Sequence, residues 1–156
     1  MRFLKTYLAV FAACSLAAAL PTLAEDKHDH GAEHGHAEKE AHYEKPSFAS
    51  IKEAWAFIKT KVDEADTSVA ENKIEPVHEI GEQLEGAIHT LEEKTDVVSQ
   101  SNKVKLTSVL KQLDKSADDL HHAAESKDPA AAALGIKKIK GLLPLVEGLY
   151  PAGALQ

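Results

Sequence analysis

The chain has 156 residues and a formal charge of −7, with 25 acidic and 18 basic side chains. This acidic excess disfavours nucleic acids and anionic membrane surfaces as partners, because both are bound through clustered Lys and Arg. The length allows one hydrophobic core of ordinary size, and the single cysteine, Cys14, excludes a disulfide within the chain.

Residues 1–24 have the pattern of a cleaved export signal. Arg2 and Lys5 provide a positive start, an apolar run follows to Leu20, and residues 22–24 supply a small-x-small cleavage site. The run is shorter than the ~20 residues that cross a bilayer, so cleavage is favoured over a membrane span. We therefore expect a periplasmic protein without a thiol, whose formal charge changes from −7 to −9 with the loss of Arg2 and Lys5.

A lipid anchor is an alternative to simple cleavage. The residues Phe11-Ala12-Ala13-Cys14 distantly resemble the box at which bacterial lipoproteins are cut and acylated. Phe11 replaces the usual leucine, and the apolar run continues beyond Cys14. Acylation of Cys14 is therefore the weaker of the two predictions.

Residues 25–46 form an acidic segment that lacks large aliphatic side chains. Five histidines stand in it: His28, His30, His34, His36 and His42. The segment cannot bury enough apolar surface to offset its ordering entropy, so we expect a disordered tail. Its two His-x-His pairs offer nitrogen ligands that suit Cu(II), Zn(II) or Ni(II), on a chain free to wrap an ion. The alternative is a solvated, pH-responsive spacer that binds no metal.

After Pro46 the apolar residues recur at intervals of three and four, which predicts amphipathic helices. The first helix is predicted over 48–70, with Ser50 or Ser47 as its N-cap. The second is predicted to begin with Asn72-x-x-Glu75 and to end near Lys94, because a capping residue followed by Glu is typical of a helix start.

The third helix is predicted to end near Ser126, and the fourth begins at Asp128-Pro129, a cap followed by proline at the first helical position. Pro144 is expected to kink the fourth helix, because its ring removes an amide donor. Four such helices with short connections bury their apolar stripes most readily as an antiparallel up-down four-helix bundle. We therefore predict an all-α fold over 47–151, followed by a C-terminal tail at 152–156.

The residues from Asp114 to Pro129 and from Ile139 to Tyr150 resemble the closing helix pair of the periplasmic cytochrome c-prime-like and cytochrome b-type four-helix bundles. The resemblance is one of architecture and covers the bundle alone. It implies a haem held through a Cys-x-x-Cys-His attachment or through Met and His ligands. The mature chain has no cysteine and Met1 leaves with the signal, so we expect no haem of either kind. A b-type haem that is held by histidines alone is a separate hypothesis, weaker than the two functions given below.

A second candidate metal site lies between helices 2 and 3. At 100° per residue, His78 and His89 share one flank of helix 2. Asp118 and His121 share a flank of helix 3 that is rotated in the same sense from its apolar stripe. These flanks face each other if the two helices are neighbours with the favourable handedness. His78, Asp118 and His121, with Glu82 one turn beyond His78, would then form a nitrogen-oxygen metal site; the alternative is a solvated polar face.

The sequence contains no P-loop, dinucleotide-binding glycine motif or nucleophile elbow. The residues from His78 to Glu82 lack the second histidine of a His-Glu-x-x-His zinc-protease motif, because Glu82 stands in its place. We therefore expect a non-catalytic protein that buffers or delivers a divalent transition metal. The alternative is an interaction module that presents one face to an envelope protein, for which Lys137, Lys138 and Lys140 form a small basic edge.

Overall fold

The computed structural model describes residues 43–156. The expectations for residues 1–42, which are the export signal, acylation of Cys14 and metal binding by the five tail histidines, lie outside the described residues. Within residues 43–156 the fold is all-α, as predicted, with four helices and no strand. The helices are α1 (Ile51–Ala70), α2 (Glu75–Glu93), α3 (Gln100–Glu125) and α4 (Pro129–Leu149).

Two of the predicted N-caps are confirmed. The Ser50 side chain accepts a hydrogen bond from the amide of Glu53 at the start of α1. The Asp128 carboxylate accepts from the amides of Ala130 and Ala131 at the start of α4. Each cap satisfies backbone donors that have no partner within the helix, which fixes where the helix begins.

The predicted start of α2 at Asn72 was wrong. Asn72 has a φ of 56° and its amide donates to the Val69 carbonyl, so it ends the turn that follows α1. Asparagine tolerates this left-handed conformation better than most residues, which explains its presence there. α2 begins at Glu75, and Pro76 occupies the first turn, where its missing amide hydrogen costs no intrahelical bond.

The four helices pack in a closed ring, in which α2 contacts α1 and α3, and α4 contacts α3 and α1. The start of α3 lies beside the end of α4, since the Asn102 side chain donates to the Leu149 carbonyl. The core is aliphatic apart from Trp55, which is fully buried, and Tyr150. Its largest fully buried aliphatic members are Ile58, Leu84, Ile88, Leu91, Leu106, Leu110, Leu113, Leu120, Ile136 and Ile139.

Both ends of the described chain are packed more closely than the sequence predicts. Residues 43–46, which the sequence predicts to belong to the disordered tail, lie along α2, where Tyr43 and Lys45 are hydrogen-bonded to glutamates. At the other end, Leu155 is buried against the core. The packed body therefore includes residues on either side of the predicted 47–151 boundaries.

None of the four helices is both long enough and apolar enough to cross a lipid bilayer, within the part of the chain that the structure describes.

Candidate metal centre

Two histidines from neighbouring helices meet between α2 and α3. The Nε2 atoms of His78 and His121 are 3.0 Å apart, and the ring centroids are 4.5 Å apart. Both side chains are largely buried, with 20% and 16% of their surfaces exposed. At this distance the two nitrogens either share one proton as donor and acceptor or both direct their lone pairs at one cation.

Gly81 allows α2 and α3 to approach so closely. A Cβ atom built on Gly81 would lie 2.8 Å from the Cβ and 2.9 Å from the Cα of His121. These distances are well below the ~3.5–4.0 Å of ordinary carbon contacts. The absence of a side chain at residue 81 therefore brings the backbone of His121 against α2, one turn from His78.

The Glu82 carboxylate completes the cluster. Its side chain is 2% exposed, and Oε1 lies 4.0 Å from His78 Nε2 and 3.8 Å from His121 Nε2. The other oxygen, Oε2, accepts a hydrogen bond of 2.8 Å from the amide of Tyr43. One carboxylate oxygen is thus held from outside α2, while the other faces the two imidazoles.

The distances among His78 Nε2, His121 Nε2 and Glu82 Oε1 are close to those between the ligand atoms of a small metal ion. One ligand atom each from His78, Glu82 and His121 lies within 4.8 Å of the others. Bonds of about 2.0–2.2 Å to nitrogen and oxygen place ligand atoms roughly 3.3–3.6 Å apart around a tetrahedral metal. The observed separations of 3.0, 3.8 and 4.0 Å bracket that range. Side-chain movements that shift the ligand atoms by a few tenths of an ångström would therefore form the site.

The surroundings favour a neutral imidazole at His121. Burial lowers the pKa of His121 most, and the neighbouring His78 lowers it further, while Glu82 and Glu85 oppose these effects. The neutral ring is the form that ligates metal ions. Glu85 Oε1 lies 3.8 Å from the second ring nitrogen, Nδ1, which is beyond hydrogen-bond distance but close enough for a charge interaction.

Asp118 does not join this cluster, in contrast to the prediction. Its carboxylate lies 3.2 Å from His122 Nε2, one helical turn along α3, and about half of its side chain is exposed. The close approach at Gly81 leaves room between the helices only for residues at the centre of the contact. The 60° step from His121 to Asp118 carries Asp118 towards solvent, and Glu82 of α2 supplies the oxygen instead.

The remaining histidines of the bundle lie at the surface. His89, predicted to share a flank with His78, is exposed beside Glu93 at 3.6 Å. His122, which the sequence analysis did not select, forms a second group with His121 and Glu125 and is mostly exposed. Its signal in the sequence was the spacing of Asp118, His122 and Glu125, which places all three on one face of α3.

A cleft lies beside the cluster. It has a volume of about 670 Å³, and its walls include Tyr43, Glu75, His78 and Glu125. Of the three residues of the cluster, His78 is the one that lines this cleft among the described residues.

The basic edge of α4 is paired with acids of the bundle itself. The Lys140 ammonium donates to Asp66 of α1, and Lys138 lies 3.6 Å from Asp119 of α3. Lys138 and Lys140 therefore balance acidic side chains of the bundle itself.

No family model, curated protein or solved structure matches the chain. The resemblance to the cytochrome bundles stays a prediction.

Proposed function

We propose that this protein binds one divalent transition-metal ion between α2 and α3, through His78 Nε2, His121 Nε2 and a carboxylate oxygen of Glu82. The observation that carries the proposal is the pair of imidazole nitrogens 3.0 Å apart with a 2% exposed carboxylate facing both. Two nitrogens and one oxygen form a ligand set that suits Zn(II), Cu(II) or Ni(II) better than Mg(II) or Ca(II), which prefer oxygen alone.

The burial of Glu82 supports the same conclusion. A carboxylate removed from water is costly unless charges and hydrogen-bond donors compensate it. The Tyr43 amide donates to one oxygen, and a divalent cation bound at the other would add a favourable charge interaction. Three ligands from the described residues would leave one position of a tetrahedral ion for exchange, as expected of a protein that takes up and releases its metal.

The biological role that we propose is buffering or delivery of this metal in the periplasm after export, without catalysis. The histidines between residues 25 and 42 would supply further imidazole ligands for these ions, because imidazole nitrogens suit Zn(II), Cu(II) and Ni(II). The buried cluster would hold the ion more tightly, since its ligands are ordered before the metal arrives.

The test is a calorimetric titration of the mature chain, from Glu25, with Zn(II), Cu(II) and Ni(II). A single-site protein separates the bundle from the tail; it carries His28→Ser, His30→Ser, His34→Ser and His36→Ser. We expect it to bind one ion per chain. His78→Gln and His121→Gln should each weaken this binding at least about 10–100-fold, because even the loss of a group beside a metal ligand costs this much.

His89→Gln is the matched control, since it removes an exposed imidazole from the same helix as His78. It should leave the affinity unchanged. Equal affinity in His78→Gln, His121→Gln and His89→Gln would overturn the proposal.

A further inference from the structure

A second group of histidine and carboxylate side chains lies on α3, next to the cluster of His78, Glu82 and His121. One ligand atom each from His121, His122 and Glu125 lies within 4.8 Å of the other two. The cluster between the helices is called the inner position below, and this second group the outer position. His121 belongs to both.

The spacing within the outer position suits a metal ion. His122 and Glu125 are neighbours on the surface of α3, because they are three residues apart on a helix. Nδ1 of His122 lies 3.4 Å from Oε2 of Glu125, a distance within the roughly 3.3–3.6 Å between ligand atoms of a tetrahedral metal. The rings of His121 and His122 have centroids 5.1 Å apart and are inclined by 36°. The His121 ring is therefore close enough to provide the third ligand atom.

Asp118 adds a feature that is typical of histidines bound to metal. Its carboxylate lies 3.2 Å from Nε2 of His122, the ring nitrogen that does not face Glu125. A metal-bound histidine usually directs its other ring N–H at a carboxylate, a backbone carbonyl or water. An ion on Nδ1 would leave the proton of His122 on Nε2, beside Asp118. Asp118 is outside the inner position, but it thus suits a positioning role in the outer one.

The two positions compete for His121 and differ in burial. A neutral imidazole has one nitrogen lone pair to offer, since its other nitrogen carries the proton, so His121 can serve one ion at a time. In the inner position His78 and Glu82 are 20% and 2% exposed. In the outer position His122 and Glu125 are 57% and 34% exposed. Water screens charge interactions more at the exposed group, so we expect tighter binding in the inner position and easier exchange in the outer one.

We propose that His121, His122 and Glu125 form a second metal position, which one Zn(II), Cu(II) or Ni(II) ion occupies in alternation with the inner position. This inference rests on the proposed function. Both positions offer two imidazole nitrogens and one carboxylate oxygen, so the same ions suit both. In passing between them the ion would keep His121 as a ligand and exchange the two buried partners for the two more exposed ones. The outer position would thus be where the ion is taken up and released.

The experiment uses the single-site protein with His78→Gln, which removes an inner ligand and leaves the outer position whole. We expect this variant to bind one Zn(II) ion in calorimetry, more weakly than the single-site protein itself. The addition of His122→Gln should weaken the binding further by at least about 10-fold, because even the loss of a group beside a metal ligand costs this much. Circular dichroism of each variant checks that the bundle is folded.

The addition of His89→Gln instead is the matched control. His89, like His122, is an exposed histidine with a carboxylate four residues away on its helix, and it belongs to neither position. Its loss should leave the affinity of the His78→Gln variant unchanged.

Nitrogen NMR identifies the ligand atom directly. In the ¹⁵N-labelled His78→Gln variant, Zn(II) should shift the Nδ1 resonance of His122 to the position of metal-bound imidazole and leave its proton on Nε2. Asp118→Asn should then shift the resonance of that proton, because its acceptor has lost its charge.

An Nδ1 resonance of His122 that stays in place would overturn the outer position, and so would equal affinity with and without His122→Gln. Two Zn(II) ions bound at once by the single-site protein would overturn the alternation, because His121 serves one ion at a time. The proposed function fails separately, if His78→Gln binds Zn(II) as tightly as the single-site protein does.

Discussion

Gly81→Ala is the substitution that tests most sharply how α2 and α3 are held together. The added methyl group would lie 2.8 Å from the Cβ of His121, 2.9 Å from its Cα and 3.0 Å from its amide nitrogen. None of these atoms can rotate away, because all three belong to or adjoin the α3 backbone. The two helices must therefore separate by roughly 1 Å to restore ordinary carbon contacts of about 3.5–4.0 Å.

The expected cost follows from two opposing effects. Overpacking of this kind typically destabilises a fold by about 1–3 kcal/mol, while alanine favours a helix over glycine by about 0.8–1.0 kcal/mol. Gly141→Ala has the second effect alone, since nothing lies within 4 Å of its new atom. Gly81→Ala should therefore have a free energy of unfolding about 1–3 kcal/mol lower than that of Gly141→Ala.

Equilibrium unfolding in urea, with a chelator present, measures this difference. Trp55, the only tryptophan, is fully buried and reports unfolding by its fluorescence. Gly135→Ala is a second control, because its new atom would contact Leu120 at an ordinary distance of 3.5 Å. Its free energy of unfolding should resemble that of Gly141→Ala. If Gly81→Ala is as stable as Gly141→Ala, the close approach of α2 and α3 at His121 is refuted, and the cluster with it.

Three further predictions concern the rest of the bundle. Asp128→Ala removes the acceptor for two amides at the start of α4 and should lower the free energy of unfolding by about 1 kcal/mol in urea. Leu110→Ala empties a fully buried position and should cost about 2–5 kcal/mol in the same assay. Burial raises the pKa of Tyr150 to about 12, so its stabilising effect is complete below pH 10 and is lost as the pH rises towards 12. An absorbance titration at tyrosinate wavelengths should show a late step that Tyr150→Phe removes, and a late step that persists would assign it to another residue.

Most of the fold could be predicted from apolar periodicity and capping chemistry. The apolar residues spaced by three and four over 48–70 include Trp55 and Ile58, and both are fully buried in the core. Ser50 and Asp128 marked helix starts because their side chains satisfy free amides. Asn72 was misread because an asparagine serves equally well as an N-cap or as a left-handed turn residue, and only the path of the chain decides between them.

The candidate site was predicted in part. Helical geometry put His78 and His121 on flanks of the same sense, and they do meet. It could not choose Glu82 over Asp118, because that choice depends on how deeply α3 sits against α2. Gly81 carried the missing information: a glycine inside a helix costs stability and usually marks a close approach, here to the backbone of His121.

The packing of residues 43–46 along α2 could not be predicted from the sequence. Residues 43–46 lack an apolar repeat and resemble the acidic segment before them. They are held by an ion pair to Glu85, a hydrogen bond to Glu82 and the bare backbone of Gly86. Each of these contacts depends on residues about 40 positions away in the chain. The composition of residues 43–46 therefore cannot predict the contacts.

His78 and His121 are proposed to bind one metal ion through their Nε2 atoms. Long-range proton–nitrogen NMR correlations of the ¹⁵N-labelled single-site protein, recorded before and after one equivalent of Zn(II), observe those nitrogens directly. We predict that the Nε2 resonances of both rings shift to the position of metal-bound imidazole, while those of His89 stay in place. Unshifted Nε2 resonances of His78 and His121 at full Zn(II) loading would contradict the account.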